Sequence, residues 1–148
     1  MRTLRILLIA LCVVAVSGCA CRTRKVGEGE GNIPVAAEGD ILKDINFAFD
    51  SYKLSDAAKA TLQDSADWLK ANPGKSVVVE GHCDERGTSE YNMALGAHRA
   101  QAAADYLRSL GVEGARMSTI SYGKELPLDP RHNEEAWAKN RRDHFVVK

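Results

Sequence analysis

The sequence has no excess of charge of either sign. Lysine and arginine total 20, and aspartate and glutamate also total 20, so the formal net charge of the 148 residues at pH 7 is zero. The first eighteen residues carry Arg2 and Arg5 but no acid, which leaves 18 basic and 20 acidic side chains in the remainder. Proteins that bind nucleic acids usually need a basic surface to neutralise phosphates. The charge balance therefore argues against a nucleic-acid partner.

A long apolar run is also missing. The run from Ile6 to Val16 is shorter than the roughly twenty residues that a membrane-spanning helix needs. Basic residues precede it and the small residues Ser17 and Gly18 follow it, an order that is typical of a secretory signal. We therefore predict that residues 1–18 are a signal peptide. The sequence Val16-Ser17-Gly18-Cys19 resembles the bacterial lipobox, which predicts lipidation of Cys19. The alternative is an ordinary cleaved signal in which Cys19 has no role.

Cysteine is too scarce to form a disulfide framework. Of the four cysteines, Cys12 would leave with the signal and Cys19 would carry lipid, so only Cys21 and Cys83 remain for pairing. We expect no disulfide between them, because Cys21 follows the lipidation site in a polar segment and Cys83 lies in a turn. Cys83 is expected to be a small, largely buried side chain. A chain of this length has enough apolar residues, 45%, for a core without disulfides.

The segment from Cys19 to Asp44 has no apolar periodicity. It is polar and contains four glycines and Pro34, a composition that is typical of a flexible tether. Residues 45–148 then alternate apolar runs with amphipathic stretches, and no internal repeat interrupts them. The sequence therefore predicts a lipidated cysteine and tether over residues 19–44 and a single domain over residues 45–148.

Hydrophobic periodicity predicts the elements of that domain. Strands are predicted at residues 45–49, 76–80, 117–122 and 142–147, and helices at residues 55–71, 89–110 and 134–139. Alternating strands and helices indicate an α/β two-layer sandwich with two main helices on one face of a four-stranded mixed sheet. Inward stripes are predicted in the first two helices, at Ala58, Leu62, Ala66 and Leu69 and at Leu95, Ala102, Ala103, Tyr106, Leu107 and Leu110.

One carboxylate and one guanidinium are spaced so that a turn and a helix bring them together. Asp84 follows a β-branched run in a glycine-containing turn, and Arg99 lies on the second predicted helix. Asn92 and Leu95 precede Arg99 by seven and four residues, so the three share one side of that helix. A guanidinium suits a carboxylate and a carboxylate suits an ammonium group. These residues therefore predict a site for the charged end of an amino acid.

Other interpretations of these residues are open. Asp84 fits a turn former and Arg99 fits a solvated helix residue. His82 is expected to be a satisfied structural histidine, and Arg141 a structural ion-pair partner near the last strand. His82, Cys83 and Asp84 are consecutive, and neighbouring side chains in extended backbone point to opposite sides, so they do not readily form a catalytic relay. No spacing of ligands indicates a metal. We therefore predict no catalytic residues, no metal and no cofactor.

The stretch VEGHCDERGTSEYNMALGAHRA, residues 79–100, resembles the peptidoglycan-binding signature of the OmpA C-terminal family. The resemblance extends from Ile45 to Val147 and includes SYGKE at 121–125 and NRR at 140–142, while Cys83 stands where many relatives have Thr or Ala. It implies that Asp84 and Arg99 hold the side-chain amine and carboxylate of meso-diaminopimelate. Phe49 and Asp50 match a loop that flanks the family site. Backbone amides at Gly87 and Thr88 are further candidate donors for a carboxylate.

The family also implies a function. The chain is expected to be a non-catalytic lipoprotein anchored in the outer membrane, with its domain facing the periplasm and bound to peptidoglycan. Related proteins bind TolB and act with other Tol proteins in cell division and envelope integrity, so these are expected partners. The alternatives are a generic OmpA-like wall anchor without a Tol partner and, from another class, a periplasmic enzyme.

Overall fold

The computed structural model of the protein describes residues 41–148, which contain four strands and three α-helices. The predicted signal peptide, Cys19, Cys21 and most of the predicted tether lie outside these residues. In chain order the elements are β1 (Ile45–Asn46), α1 (Asp56–Ala71), β2 (Val77–His82), α2 (Ser89–Ser109), β3 (Met117–Gly123), α3 (Glu134–Asn140) and β4 (Arg142–Val147), with a 3₁₀ turn at Gly114–Arg116 before β3.

The first helix begins and ends at the residues that its sequence indicates. The Ser55 hydroxyl accepts a hydrogen bond from the Ala58 amide at 3.1 Å and so caps the N-terminus of α1. Asn72 caps the other end, and Pro73 follows it. The predicted inward stripe is confirmed, because Ala58, Leu62, Ala66 and Leu69 are all buried. The apolar spacing therefore sets which face of α1 packs on the sheet.

The second helix carries both core and site residues. The Thr88 hydroxyl accepts from the Tyr91 amide at 3.2 Å, and Gly111 ends the helix in a left-handed conformation with φ of 95°. Ala103 and Leu107 are fully buried in the core as predicted, whereas Ala102 is only half-buried. The N-terminal half of α2 instead buries polar groups, so this half belongs to the site.

The four strands form one mixed sheet in the order β1-β4-β2-β3. Strand β2 runs parallel to β3 and antiparallel to β4, which also pairs antiparallel with β1. Val77 and Val79 of β2 and Phe145 of β4 share a core with the buried stripes of α1 and α2. The prediction of an α/β sandwich with two main helices on one face of a four-stranded sheet is confirmed.

Strand β1 is shorter than predicted. The sequence indicates a strand over residues 45–49, but only Ile45–Asn46 pair with β4. Beyond Asn46 the backbone carbonyls accept from arginine side chains instead of a strand: Phe47 O from Arg141 Nε at 3.1 Å and Ala48 O from Arg99 Nη2 at 3.2 Å. The apolar residues alternate as the strand prediction requires, but hydrogen bonds from arginine side chains take the place of the expected pairing with a neighbouring strand.

The packed part of the chain begins before the predicted boundary at residue 45. Leu42 is 2% exposed and belongs to the core. The Asp44 carboxylate contacts His144 Nδ1 at 2.7 Å and Arg142 Nε at 3.3 Å on β4. Residues 42–44, which the sequence assigns to the tether, therefore pack on the domain. The sequence does not reveal this, because two adjacent apolar residues, Ile41 and Leu42, are too few to show a periodicity.

Two glycines bring β2 and α2 into direct backbone contact. A Cβ atom on Gly81 would lie 2.0 Å from the carbonyl oxygen of Gly96, and one on Gly96 would lie 2.3 Å from Ser121 Oγ. Only residues without a side chain allow this approach. Because Asp84 follows β2 and Arg99 follows Gly96 on α2, the contact fixes how far apart the two site residues lie.

Within residues 41–148, no helix combines the length and the apolar character needed to cross a bilayer.

Candidate functional site

All but one of the predicted site residues line one open cleft. The cleft has a volume of about 190 Å³ and lies between the end of β2, the N-terminal half of α2, the segment after β1 and the start of β4. This volume is smaller than the roughly 300–1,000 Å³ that is typical of small-molecule pockets, so the cleft suits part of a ligand and not a whole drug-sized molecule. The lining residues are Phe49, Asp50, Cys83, Asp84, Arg86, Gly87, Tyr91, Asn92, Leu95, Arg99 and Arg141.

Asp84 is held by two guanidinium groups. Arg86 donates from Nε to Oδ1 at 3.2 Å and from Nη2 to Oδ2 at 2.6 Å, and its amide donates to Oδ1 at 3.1 Å. Arg141 Nη1 donates to Oδ2 at 3.1 Å. Burial alone would raise the pKa of Asp84, but these hydrogen bonds outweigh it and hold the pKa below its ordinary value. Asp84 is therefore an ionised carboxylate on the cleft wall.

Arg99 is fully buried, with an exposed fraction of 0%. Its guanidinium donates to Ser51 O and His82 O, both at 2.8 Å, to Ala48 O at 3.2 Å and to Cys83 Sγ at 3.4 Å. These contacts use four of the five N–H groups that a guanidinium carries. Burial lowers the pKa of Arg99, but an arginine remains protonated near neutral pH. The side chain therefore organises the cleft floor and also supplies positive charge to it.

Asp84 and Arg99 line the same cleft but bind different partners. Asp84 pairs with Arg86 and Arg141, while Arg99 donates to three carbonyls and a thiol. The structure thus brings the two predicted residues together around one space, as their spacing suggests. It also rejects the open alternative that Arg99 is a solvated surface residue.

The segment after β1 supplies the outer wall. Phe49 is 57% exposed, and Asp50 has a φ of 51°, a left-handed conformation that non-glycine residues rarely adopt. The Tyr91 hydroxyl donates to Asp50 Oδ1, so α2 holds this carboxylate at the rim. The predicted placement of Phe49 and Asp50 at the edge of the cleft agrees with the geometry.

Of the remaining predicted residues, Asn92, Leu95 and Gly87 line the cleft and Thr88 does not. Asn92, 2% exposed, donates from Nδ2 to Arg86 O at 2.9 Å, and Leu95 lies one helical turn further along the same wall. Gly87 lines the cleft with a φ of 98°, which a side chain would strain. Thr88 does not line the cleft, because its hydroxyl caps α2. Asn92 therefore supports the turn as well as facing the cleft.

The sequence does not single out Arg86 and Tyr91, which also line the cleft. It predicts a structural ion-pair role for Arg141, and the structure shows such pairs. Arg141 does pair with Asp84 and with Glu134 Oε1 at 2.7 Å, but it also lines the cleft. Arg86 was detectable in principle, because it lies two residues after Asp84 in the same short turn.

The electrostatics of the cleft favour binding over nucleophilic catalysis. Burial raises the pKa of Cys83 to about 11, so its thiol stays protonated and unreactive near neutral pH. Burial, with a contribution from the nearby Arg142 charge, lowers the pKa of His82 to about 4, and the ring stacks on Tyr122 at 5.4 Å. Across residues 41–148, no group of three or more His, Cys, Asp or Glu side chains is arranged to hold a metal ion.

Comparisons with known proteins agree with this architecture. The family model described as OmpA family matches residues 46–141. The peptidoglycan-associated lipoprotein of Rhizobium meliloti (strain 1021) is 40% identical over 152 residues, covering 96% of this chain and 86% of the relative. That of Pasteurella multocida (strain Pm70) is 39% identical and covers 93% of each chain. The crystal structure of the peptidoglycan-associated lipoprotein from Burkholderia pseudomallei superposes with a TM-score of 0.69 at 46% identity, covering 71% of this chain and 89% of that one.

Proposed function

This chain belongs to the OmpA family, and from that premise we propose that it binds peptidoglycan non-covalently as an anchor within the bacterial envelope. The relatives named above are peptidoglycan-associated lipoproteins that resemble it along most of their length. The observation that carries the proposal is the placement of the Asp84 carboxylate and the Arg99 guanidinium on the walls of one small cleft. A site of this kind binds a group that bears both charges.

The ligand group that we propose is meso-diaminopimelate in the stem peptide. Its side chain ends in an ammonium and a carboxylate on the same carbon, which match Asp84 and the guanidinium of Arg99. Five charged side chains line the cleft, three arginines and two aspartates, so its formal charge is +1 and it favours a ligand with a net negative charge. Phe49, Asn92 and Leu95 provide the walls along which the carbon chain lies.

The proposal predicts a strong dependence on the distal carboxylate. The full-length chain, kept soluble in detergent, is titrated with stem peptides that carry meso-diaminopimelate, its side-chain amide or lysine at the third position. A neutral amide cannot form a charged pair with a guanidinium, and lysine lacks the carboxylate altogether. We expect affinity to fall at least about tenfold for both, a loss of about 1.4 kcal/mol. Equal affinities for all three peptides would contradict the assignment.

Membrane attachment is proposed at Cys19, which lies outside the described residues. The signal-like N-terminus and the lipobox-like sequence support this, and two or more acyl chains are needed for stable anchoring. Ala20 after Cys19 carries no acidic side chain of the kind that retains some lipoproteins at the inner membrane, which favours the outer membrane. Cys19→Ser should move the protein from the membrane pellet to the soluble fraction, whereas Cys21→Ser should not. Retention of the Cys19→Ser variant in the pellet would rule out the anchor.

A role beside TolB and other Tol proteins in cell division is the finer part of the proposal. It is supported by the resemblance to peptidoglycan-associated lipoproteins, and co-purification with TolB tests it directly. A generic wall anchor would bind peptidoglycan and not TolB. An enzyme would instead release fragments from purified wall, an outcome disfavoured by the protonated state of Cys83.

A further inference from the structure

Arg86 occupies the position that the ligand ammonium needs. It makes three of the four hydrogen bonds that Asp84 receives, and together its side chain and that of Arg141 contact both carboxylate oxygens. An incoming ammonium group seeks the same oxygens. In the ligand-free protein the carboxylate is therefore already paired with a cation from the chain itself.

The two arginines on Asp84 differ in their freedom to move. The Arg141 side chain is 8% exposed and is fixed on three sides, by Asp84, by Glu134 and by Phe47 O at 3.1 Å. The Arg86 side chain is 32% exposed and approaches from the open side of the cleft. Only Arg86 can leave Asp84 without disturbing the core, because Arg141 also holds the backbone after β1.

The Glu134 carboxylate is a second anionic partner within reach of Arg86. Glu134 Oε2 lies 3.6 Å from Arg86 Nη1, and the Glu134 side chain is largely exposed. The guanidinium also lies between two aromatic rings, with its central carbon 3.9 Å from the Phe49 ring centroid and 4.3 Å from that of Trp137. Such cation–π contacts stabilise a guanidinium that slides between the rings without losing its charge partner. Arg86 therefore has a second position within reach.

We propose that Arg86 is an internal competitor that a ligand ammonium displaces from Asp84 toward Glu134. The inference rests on the proposed function and names the residue of the same site that the ligand must displace. A ligand without the amine cannot replace Arg86 at Asp84, so it binds only through its carboxylate. A ligand with the amine exchanges one cation for another and keeps Asp84 neutralised. Arg86 thus lowers the affinity for ligands that carry the ammonium group and does not affect ligands that lack it.

The test compares Arg86→Gln with the unmodified full-length chain in detergent. Glutamine removes the charge but keeps an extended stem between Phe49 and Trp137, and Arg86→Ala serves as the second variant. The probes are a stem peptide that carries meso-diaminopimelate and an analogue in which hydrogen replaces the side-chain amine. We expect the amine-bearing peptide to bind about fivefold tighter to Arg86→Gln, the scale of one partly exposed ion pair. The analogue should gain nothing.

A double-mutant cycle with Glu134 separates displacement from a general change in charge. Glu134→Gln removes the receiving carboxylate and should weaken binding of the amine-bearing peptide about threefold in the unmodified chain. In the Arg86→Gln background the same change should weaken binding by less than threefold, because only the pair between Glu134 and Arg141 is then lost. Arg108→Ala, which removes an exposed arginine paired with Asp105, is the matched control and should leave both affinities unchanged.

The outcomes are distinguishable. If the unmodified chain binds the amine-bearing peptide and Arg86→Gln binds it equally or more weakly, the displacement is wrong while the proposed function stands. An equal gain for the amine-free analogue would also overturn displacement, because it would show a simple charge effect. If the unmodified chain binds neither peptide, the proposed function fails and this inference fails with it.

Discussion

Gly81→Ala is expected to destabilise the domain severely. The new Cβ would lie 2.0 Å from the carbonyl oxygen of Gly96 and 2.7 Å from its carbonyl carbon. Both atoms belong to the backbone of α2, so no side-chain rotation relieves the clash. Over-packing of a core typically costs about 1–3 kcal/mol, and a backbone obstacle places this case at or above the upper end of that range. Urea unfolding followed by circular dichroism measures the loss in the free energy of unfolding.

Gly74→Ala is the matched control for this result. Nothing lies within 4 Å of a Cβ at Gly74, so the same substitution there should change the free energy of unfolding by less than about 1 kcal/mol. If Gly81→Ala is as stable as Gly74→Ala, the close approach of β2 and α2 is not required by the fold. A partly folded Gly81→Ala variant should also bind peptidoglycan poorly, because α2 would move away from the turn that carries Asp84.

Asp84→Asn is expected to abolish binding to peptidoglycan. The substitution keeps the shape of the side chain but removes the charge that a ligand ammonium pairs with. It also leaves Arg86 and Arg141 with Glu134 as their remaining shared carboxylate, so the cleft becomes more cationic and disfavours an ammonium group. Loss of a charge-assisted contact of this kind costs on the order of 2 kcal/mol or more, roughly thirtyfold in affinity. Co-sedimentation of the variant with purified diaminopimelate-type peptidoglycan measures it.

The control for this prediction is Asp64→Asn on α1. Asp64 is exposed and lies outside the cleft, so its variant should pellet with peptidoglycan like the unmodified protein. Circular dichroism of Asp84→Asn establishes that its fold is intact. Undiminished sedimentation of a folded Asp84→Asn variant would return Asp84 to a purely structural role in its turn.

Substitution of Arg99 is less suited to the co-sedimentation experiment, because Arg99 is buried by contacts with distant residues that the sequence does not reveal. Its position on one side of α2 with Asn92 and Leu95 follows from helical spacing. The complete burial of Arg99 does not follow from the sequence. Its carbonyl partners Ala48 and Ser51 lie about fifty residues away, in the segment after the short strand β1. Arg99→Ala would remove the donors to three backbone carbonyls, one of them buried, so lost binding could not be separated from lost folding.

Local signals explain the elements that were predicted well. Ser55 at the start of α1, Gly111 after α2 and the spacing of Leu62, Ala66 and Leu69 depend on residues within a turn or two. Contacts between distant segments explain the failures. Leu42 packs in the core although the segment around it is mostly polar. The carboxylate of Asp143 is buried beside Arg99 with a raised pKa, because burial disfavours its charge.

The short first strand has a mechanical consequence. A pull on the chain at Ile41 meets the buried Leu42 side chain, then two residue pairs between β1 and β4, and then the carbonyls of Phe47, Ala48 and Ser51. Those carbonyls accept hydrogen bonds from Arg141 and Arg99, the same side chains that line the cleft. Force that enters the domain at its N-terminal end therefore reaches the cleft floor before it reaches α1. Helix α1 lies off this path, whereas Arg99 passes the force to α2.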